Sequence, residues 1–320
     1  MKILIIRLSS LGDIVLTEPV SAALRLEHPD AQIDYFTKAA YVQVVEAFDS
    51  IDNIFIYKTT RILRKLKGNY DIVIDLHAKL NTFLIKLAVG GKKTATYNKK
   101  PILRRRLIRG NKEINIGTTV GLYFSALKKL GINRNYENPR LTAVSSTSAI
   151  TKDRNRSTKK IGIFPGALHQ TKRYPLQLHA EVINSLPNEF DILLFGSKNE
   201  RADVEELISK LNRKVINVCG NLNITELVAT MNDLDLIISN DSGPMHIAAA
   251  LGKKQIALFG ATHPVLGFSP MNNNATVICM NLDCQPCSLH GAEKCPKEHF
   301  NCMNEIKPSE IVEKLIKILD

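Results

Sequence analysis

The sequence predicts an α/β protein made of two domains, each built on a parallel sheet. The chain has 320 residues, of which 44% are hydrophobic and 23% charged, and this globular composition at roughly 150 residues per domain favours two domains. Short apolar runs rich in Ile, Val and Leu alternate with longer mixed stretches. Strands this apolar are covered on both faces, which indicates parallel sheets assembled from βαβ units.

The apolar runs form two series with a polar, basic stretch between them. We predict strands at 2–6, 33–36, 54–57 and 70–75 in the first series, and at 160–164, 190–195, 215–218, 234–239 and 255–259 in the second. Residues 133–157 show no regular period, so we expect domains at 1–150 and 151–320. A final helix is expected to begin at a Ser309 cap and to dock its apolar side on a domain.

The charge balance narrows the choice of partners. Lys and Arg number 43 against 31 Asp and Glu, giving a net charge of +12, which favours a polyanionic partner such as nucleic acid, phosphates or an anionic membrane. No apolar run approaches the roughly 18 residues that cross a bilayer, and the N-terminal apolar run is too short for a secretory signal. We therefore expect a cytoplasmic protein.

Candidate functional residues follow the predicted strands, because ligands of open parallel sheets bind at the carboxyl ends of the strands. After the first strand, Ser10 and Gly12 lead into Asp13 at the mouth of a helix. Asp13 suits two roles on local sequence: an N-cap, or a carboxylate poised as a general base.

Two loops of the second domain suit a nucleotide. A glycine loop at Gly166 runs into Lys172 and Arg173, where backbone amides and adjacent cations fit a diphosphate. The same sequence also suits a solvated basic loop that binds no ligand. Glu200 follows the next strand and either accepts the hydroxyls of a ribose or complements a helix dipole.

A third loop adds an anion site. A buried strand ends in Asp241, Ser242 and Gly243, followed by a helix with His246 on its first turn. The amides of Ser242 and Gly243 and the positive end of the helix favour phosphate, while His246 is either a ligand contact or a packed core residue. Together the three loops indicate a nucleotide diphosphate.

These motifs, taken in order, resemble the family 9 glycosyltransferases, the bacterial heptosyltransferases that move heptose from ADP-heptose to the inner core of lipopolysaccharide. The matching segments are SSLGD at 9–13, the loop from Pro165 through KRYP at 172–175, the turn at 196–200, DSGPMH at 241–246, GAT at 260–262 and a late cysteine cluster. The resemblance implies two Rossmann-like domains facing across a cleft, the glycosyltransferase B fold, with the acceptor on the N-terminal domain and the nucleotide sugar on the C-terminal one.

The resemblance also implies roles for residues in an inverting, single-displacement transfer. Asp13 is the expected catalytic base, and the expected donor-binding residues are Gly166, Lys172, Arg173, Glu200, Asp241, Ser242, Gly243 and His246. Cations and a helix end can neutralise a departing diphosphate, so we expect no bound metal and no cofactor. Ala167 and Leu168 depart from relatives that carry hydroxyl side chains near the phosphates, which leaves only backbone contacts there.

The basic stretches at 58–67 and 92–112 are candidates for binding an anionic acceptor at a membrane surface, or are simply solvated faces. The expected acceptor-binding residues are Ser10, Gly12, Arg61, Arg64, Lys65, Arg104 and Arg105. The expected partners are ADP-heptose, an anionic glycolipid (lipid A with inner-core sugars) and the inner face of the cytoplasmic membrane, without nucleic acid. Two alternatives stay open: the same fold with another nucleotide sugar, and a non-catalytic nucleotide- or RNA-binding protein.

Five of the six cysteines lie late in the chain, at Cys279, Cys284, Cys287, Cys295 and Cys302. In a reducing compartment such clustering is compatible with free thiols, a metal site or a disulfide. The spacing of the cysteines does not distinguish among these three possibilities. We expect that no residue of the chain is a metal ligand.

Overall fold

The computed structural model describes residues 1–58, 61–110, 113–143 and 158–320. The chain divides into two compact units: unit 1 is Met1–Pro101 with Gly117–Thr142, and unit 2 is Ile102–Ile116 with Ala143–Asp320. The predicted boundary between residues 150 and 151 lies outside the described residues.

Unit 1 is built on a parallel sheet. Its strands in the described residues are β1 (Lys2–Ile6), β2 (Gln32–Thr37), β3 (Asn53–Ile56), β4 (Tyr70–Asp75) and β5 (Gly91–Thr96), in the order β3-β2-β1-β4-β5. The helices of this part of the chain are α1 (Leu11–Val15), α2 (Glu18–Glu27), α3 (Val42–Val45), α4 (Arg61–Leu66), α5 (Leu80–Val89), α6 (Pro101–Ile108) and α7 (Thr119–Lys129). All of α6 except Pro101 belongs to unit 2.

Unit 2 contains a second parallel sheet. Its strands in the described part of the chain are β6 (Lys160–Phe164), β7 (Asp191–Leu194), β8 (Ile216–Asn217), β9 (Leu236–Asn240), β10 (Lys254–Phe259) and β11 (Ala275–Cys279), in the order β11-β10-β9-β6-β7-β8. The remaining helices are α8 (Leu176–Ser185), α9 (Arg201–Ser209), α10 (Ile224–Asn232), α11 (Gly243–Ala250), α12 (Asn301–Asn304) and α13 (Pro308–Leu319).

The predicted α/β class with two parallel sheets is confirmed. Each predicted apolar run forms a strand, and β1, β4 and β6 have the predicted bounds. These central strands are covered on both faces, as Ile3 and Ile161 illustrate with no exposed surface. β5 and β11 were not predicted, because they are edge strands whose side chains are largely exposed or half-buried and therefore lack the continuous apolar pattern.

The C-terminal helix docks as expected, but its start differs from the prediction. α13 packs against α8 through its apolar side, where Ile311 and Leu315 are buried. Its N-cap is Lys307 and its first residue is Pro308, so the predicted cap at Ser309 is wrong. Proline favours the first helical position because it has no amide hydrogen that needs a partner there.

None of the helices in the described ranges combines the length and the apolarity that a membrane span requires.

Candidate active site

Asp13 lies in the first turn of α1, directly after the carboxyl end of β1. The N-cap of this helix is Ser10, whose hydroxyl donates to Asp13 Oδ2 at 2.8 Å and whose backbone amide lies 3.4 Å from the same oxygen. Gly12 is buried in the turn between them. The carboxylate therefore belongs to a capping box at the third helical position and is not the N-cap itself.

Asp13 is also held by Arg7, which precedes helix α1, and by Tyr123, which is distant in sequence. Arg7 Nη2 lies 2.7 Å from Asp13 Oδ2, and the Tyr123 hydroxyl donates to Oδ1 at 3.1 Å. Burial by itself lowers the pKa of Arg7, but its interactions with Tyr123 and Asp13 outweigh this effect and raise the pKa above the usual value. Burial raises the pKa of Tyr123. The site thus pairs a permanent cation and a neutral phenol with the carboxylate of Asp13.

The carboxyl ends of β4 and β5 bring further polar groups to the surroundings of Asp13. His77 follows β4, and its buried Nδ1 has no hydrogen-bond partner among the described residues. Burial and the nearby charges of Arg7, Lys79 and Lys99 lower the pKa of His77 to about 4, so its imidazole is neutral at physiological pH. Lys99 follows β5, and burial together with Arg7 and Lys79 lowers its pKa to about 8.

The predicted acceptor residues do not form one group. Arg61, Arg64 and Lys65 are exposed on α4 in unit 1. Arg104 lies in unit 2, where it is buried with its guanidinium carbon 5.1 Å from the centre of the Phe268 ring, whereas Arg105 is exposed. α6 joins unit 2 because an apolar cluster that includes Leu107, Ile116 and Leu266 binds it there.

In unit 2, Lys172 and Asp241 form an ion pair. Lys172 Nζ lies 2.8 Å from Asp241 Oδ2, with 15% and 6% of the two side chains exposed. The Thr262 hydroxyl donates to the same carboxylate oxygen at 2.6 Å. The loops that follow β6, β9 and β10 therefore converge on Asp241, which holds the ammonium group of Lys172 at the carboxyl edge of the sheet.

Two residues hold the loop that carries Lys172. The buried Asn240 side chain accepts from the Tyr174 amide at 3.1 Å and donates to the carbonyls of Pro165 and Gly166 at 2.8 and 3.1 Å. Arg173 Nη1 lies 2.7 Å from Asp203 Oδ2, and its Nε donates to the Ala167 carbonyl at 2.7 Å. Arg173 thus connects this loop to α9 through contacts within the protein.

The start of α11 offers an anion-binding helix end. Ser242 is its N-cap and Gly243 its first residue, and no side chain of the described residues caps the helix. The first amides of a helix have no intrahelical acceptor and lie at its positive end, so this position favours a phosphate. His246 is buried in the first turn of this helix.

Glu200 lies against Gly166. Its Oε2 accepts from the Ser197 amide at 2.6 Å, and a Cβ built on Gly166 would lie 1.8 Å from its Oε1. A side chain at position 166 would therefore force the Glu200 carboxylate out of this position. Gly166, Arg173 and Glu200 also line a cavity of about 640 Å³ whose other walls include Leu176, Val204 and Phe300.

The segment that carries the late cysteines, residues 279–302 and here called the cysteine-rich tail, contacts the loop of Lys172. The sequence did not indicate this contact. The Thr171 hydroxyl donates to the Ala292 carbonyl at 2.9 Å and accepts from the Ala292 amide at 2.8 Å. A Cβ built on Gly291 would lie 2.9 Å from Lys172 Cγ and 2.7 Å from His169 Cβ. The tail therefore limits where the Lys172 side chain can lie.

All six cysteines are free thiols. Burial raises the pKa of Cys219 to about 11 and that of Cys302 to about 12, so both are protonated at neutral pH. Cys284 Sγ lies 3.9 Å from His299 Nε2. Within the described ranges, no three His, Cys, Asp or Glu side chains are grouped so that they could hold a metal ion.

Solved structures of other proteins share this fold. A glycosyl transferase family 9 protein from Veillonella parvula superposes with a TM-score of 0.84 at 19% identity, covering 99% of this chain and 97% of that one. E. coli ADP-heptose lps heptosyltransferase II superposes with a TM-score of 0.81 at 22% identity, covering 100% and 98%. The fold is that of the glycosyltransferase B class, as the resemblance implied.

The sequence comparisons identify the family. The family model of glycosyltransferase family 9 (heptosyltransferase) matches residues 59–297. Lipooligosaccharide heptosyltransferase 2 of Campylobacter jejuni is 27% identical over 331 residues, covering 100% of this chain and 98% of that protein. The chain belongs to glycosyltransferase family 9 and is a glycosyltransferase, which confirms the resemblance seen in the motifs.

Proposed function

We propose that this chain transfers heptose from ADP-heptose to the inner core of lipopolysaccharide by an inverting single displacement. The observation that carries the proposal is Asp13, a carboxylate held by Arg7 at the carboxyl end of β1 in a chain of this family. The names of its relatives, which include lipooligosaccharide heptosyltransferase 2 and ADP-heptose lps heptosyltransferase II, support this choice of donor and acceptor.

Asp13 acts as the general base. It takes the proton of the acceptor hydroxyl while that oxygen attacks the anomeric carbon of the donor. Arg7, Ser10 and Tyr123 fix the orientation of the carboxylate through one ion pair and two hydrogen bonds. Proton transfer then requires no rearrangement of the side chain.

The diphosphate leaving group is stabilised in unit 2. The ammonium of Lys172 and the amides of Ser242 and Gly243 are electrostatic partners for the charge that develops as the glycosidic bond breaks. Asp241 positions Lys172, and Glu200 is suited to accept the ribose hydroxyls of the donor. Arg173 contributes by holding the loop, since its contacts lie within the protein.

The acceptor is an anionic glycolipid reached at the membrane surface. Lys79 and Lys99 supply positive charge close to Asp13, where a carboxylate or phosphate of the acceptor can bind. Exposed cations on α4 add long-range attraction to an anionic lipid surface. Under this proposal the excess of positive charge serves the acceptor and not a nucleic acid.

The test is incubation of the purified chain with a panel of nucleotide sugars and truncated core acceptors, with nucleotide release as the readout. We expect release of ADP from ADP-heptose only when an inner-core acceptor is present. Consumption of a different nucleotide sugar would support the alternative donor. Tight RNA binding without transfer from any nucleotide sugar would support the non-catalytic alternative.

A further inference from the structure

The outward face of α5 is apolar. Leu80, Phe83, Leu84 and Leu87, here called the α5 apolar stripe, have 76%, 47%, 56% and 60% of their surface exposed. Their spacing of three and four residues places them on one side of the helix. A single exposed leucine needs no explanation, but four side chains in one row form a continuous apolar surface.

The opposite side of α5 already packs on unit 1. Thr82, Ile85, Lys86 and Val89 are buried there, and Ile85 and Val89 belong to the apolar core beneath the helix. A helix on the surface of a globular domain normally carries polar residues opposite its buried side. The α5 apolar stripe is therefore not needed to attach this helix to the sheet.

Positive charge borders the stripe on the side of α4 and at the N-terminus of α5. α4 packs beside α5, and its Arg61, Arg64 and Lys65 are exposed, as is Lys79 at the N-cap of α5. Between residues 61 and 112 the only acidic residues are Asp71 and Asp75. Asp71 is paired with Lys92 at 2.7 Å, and Asp75 is fully buried, so neither offsets the exposed cations.

This charge distribution distinguishes between possible occupants of the stripe. A two-fold interface between copies of the chain would bring a second set of the same cations to the stripe, and the added like charge is unfavourable. An anionic lipid surface complements them, and its acyl boundary accepts leucine and phenylalanine side chains. The apolar row and its cationic border match the composition of helices that lie in a membrane interface.

We propose that α5 lies in the interface of an anionic membrane, with the α5 apolar stripe inserted between lipid headgroups and the cations of α4 bound to those headgroups. The helix begins three residues after His77, at the same strand edge as Asp13. A membrane bound there presents the sugar of an embedded acceptor to the end of the sheet that carries Asp13. The inference rests on the proposed function only in this last step.

Tryptophan fluorescence tests insertion directly, because the chain contains no Trp. We expect the emission of Leu84→Trp to shift to shorter wavelength with vesicles of phosphatidylcholine and phosphatidylglycerol, and to be quenched by lipids with brominated acyl chains. Leu26→Trp is the matched control, since Leu26 is 63% exposed on α2 in the same unit. Absence of a shift and of quenching in Leu84→Trp would overturn the proposal.

Vesicle co-sedimentation gives a second measurement. The triple variant Phe83→Gln, Leu84→Gln and Leu87→Gln changes only exposed side chains, and circular dichroism checks its fold. We expect it to bind anionic vesicles at least tenfold more weakly than wild type, whereas Leu26→Gln binds normally. Equal binding by the triple variant, or a wild-type dimer that this variant converts to monomer in sedimentation velocity, would refute membrane insertion.

Transfer assays separate this inference from the proposed function. With an acceptor embedded in vesicles, we expect the triple variant to show a KM at least tenfold higher than wild type. With the deacylated, water-soluble acceptor, its KM stays within twofold of wild type. If wild type transfers to neither acceptor, the proposed function fails, while the fluorescence and co-sedimentation results still decide the membrane inference.

Discussion

Arg7 and Asp13 form an ion pair that is largely hidden from solvent: Arg7 Nη2 lies 2.7 Å from Asp13 Oδ2, with 7% and 22% of the side chains exposed. Removing one partner of such a pair leaves the other charge uncompensated, which is strongly destabilising in a buried site. Asp13→Asn also removes this charge, but its amide has the same shape and preserves the packing, so it is more informative than a truncation.

Asp13→Asn removes the proposed base while keeping the size of the side chain. We expect kcat to fall by a factor of roughly 10² to 10⁴, the usual contribution of a positioned base, with ADP affinity unchanged. Kinetics and calorimetry on the same preparation measure both quantities. Ser10→Ala is the control, because it removes one hydrogen bond to Asp13 but retains the carboxylate. If Asp13→Asn kept a near-normal kcat and only lowered the melting temperature, Asp13 would be a structural capping residue and not the base.

The lowered pKa of Lys99 predicts that acceptor binding depends on pH. Because burial and neighbouring cations lower its pKa to about 8, it is charged below that pH and neutral above it. The KM for an anionic acceptor should therefore rise as the pH increases through about 8. His77 is neutral throughout this range, since its pKa is about 4, and contributes no change there.

The control for this titration is Lys99→Arg, which stays charged to a much higher pH. We expect this variant to bind the acceptor with no change between pH 7 and about 9.5, while Lys99→Gln binds weakly at every pH. If the change near pH 8 persisted in Lys99→Arg, another group would be responsible for it.

Lys172→Ala should weaken donor binding and slow transfer together. Hydrogen bonds to charged groups contribute about 1.5 to 3 kcal/mol, so ADP affinity is expected to fall roughly 10- to 100-fold. Titration calorimetry with ADP measures this loss without an acceptor. Lys210→Ala removes the exposed lysine at the C-cap of α9 and serves as the control. Unchanged ADP affinity in Lys172→Ala would exclude this lysine from the donor site.

Gly291→Ala tests the contact between the cysteine-rich tail and Lys172. The backbone at this position has a φ of +96°, and the added methyl group would displace the side chains of Lys172 and His169. We expect weaker ADP binding with retained secondary structure. Gly252→Ala provides the comparison, because Gly252 also has positive φ (+67°) but no atom lies within 4 Å of its added Cβ. Equal ADP affinities in both variants would mean that the tail does not position Lys172.

The strand pattern and the loop positions could be read from the sequence because both are local. Central strands such as β1 and β6 are continuously apolar, and parallel strands bring the residues after their carboxyl ends to one edge. That reasoning selected Lys172 and Asp241, which form an ion pair in the structure. β5 was not predicted because its sequence, Gly-Lys-Lys-Thr-Ala-Thr, is largely polar. A strand at the exposed edge of a sheet can carry such polar residues.

The partners of Asp13 could not be found by local pattern. Tyr123 lies 110 residues from Asp13, and no spacing in the sequence signals their contact. Arg7 is close to Asp13 in sequence, but the sequence does not show that its guanidinium contacts the carboxylate. Arg104 and Arg105 are adjacent in a basic stretch, yet only Arg105 is exposed, because the packing of α6 on unit 2 buries Arg104. The α5 apolar stripe could not be recognised for the same reason. Its leucine and phenylalanine residues have the composition of a buried helix, and only the structure shows that they are exposed.

The anomeric configuration of the product tests the central claim most directly. Wild-type enzyme and ADP-heptose are incubated with each of a panel of truncated inner-core acceptors, and the new linkage is assigned by mass spectrometry and NMR. The account predicts a single added heptose whose anomeric configuration is opposite to that in the donor, because a single displacement assisted by Asp13 inverts that carbon. A product with retained configuration, or no transfer from ADP-heptose while another nucleotide sugar is consumed, would contradict it.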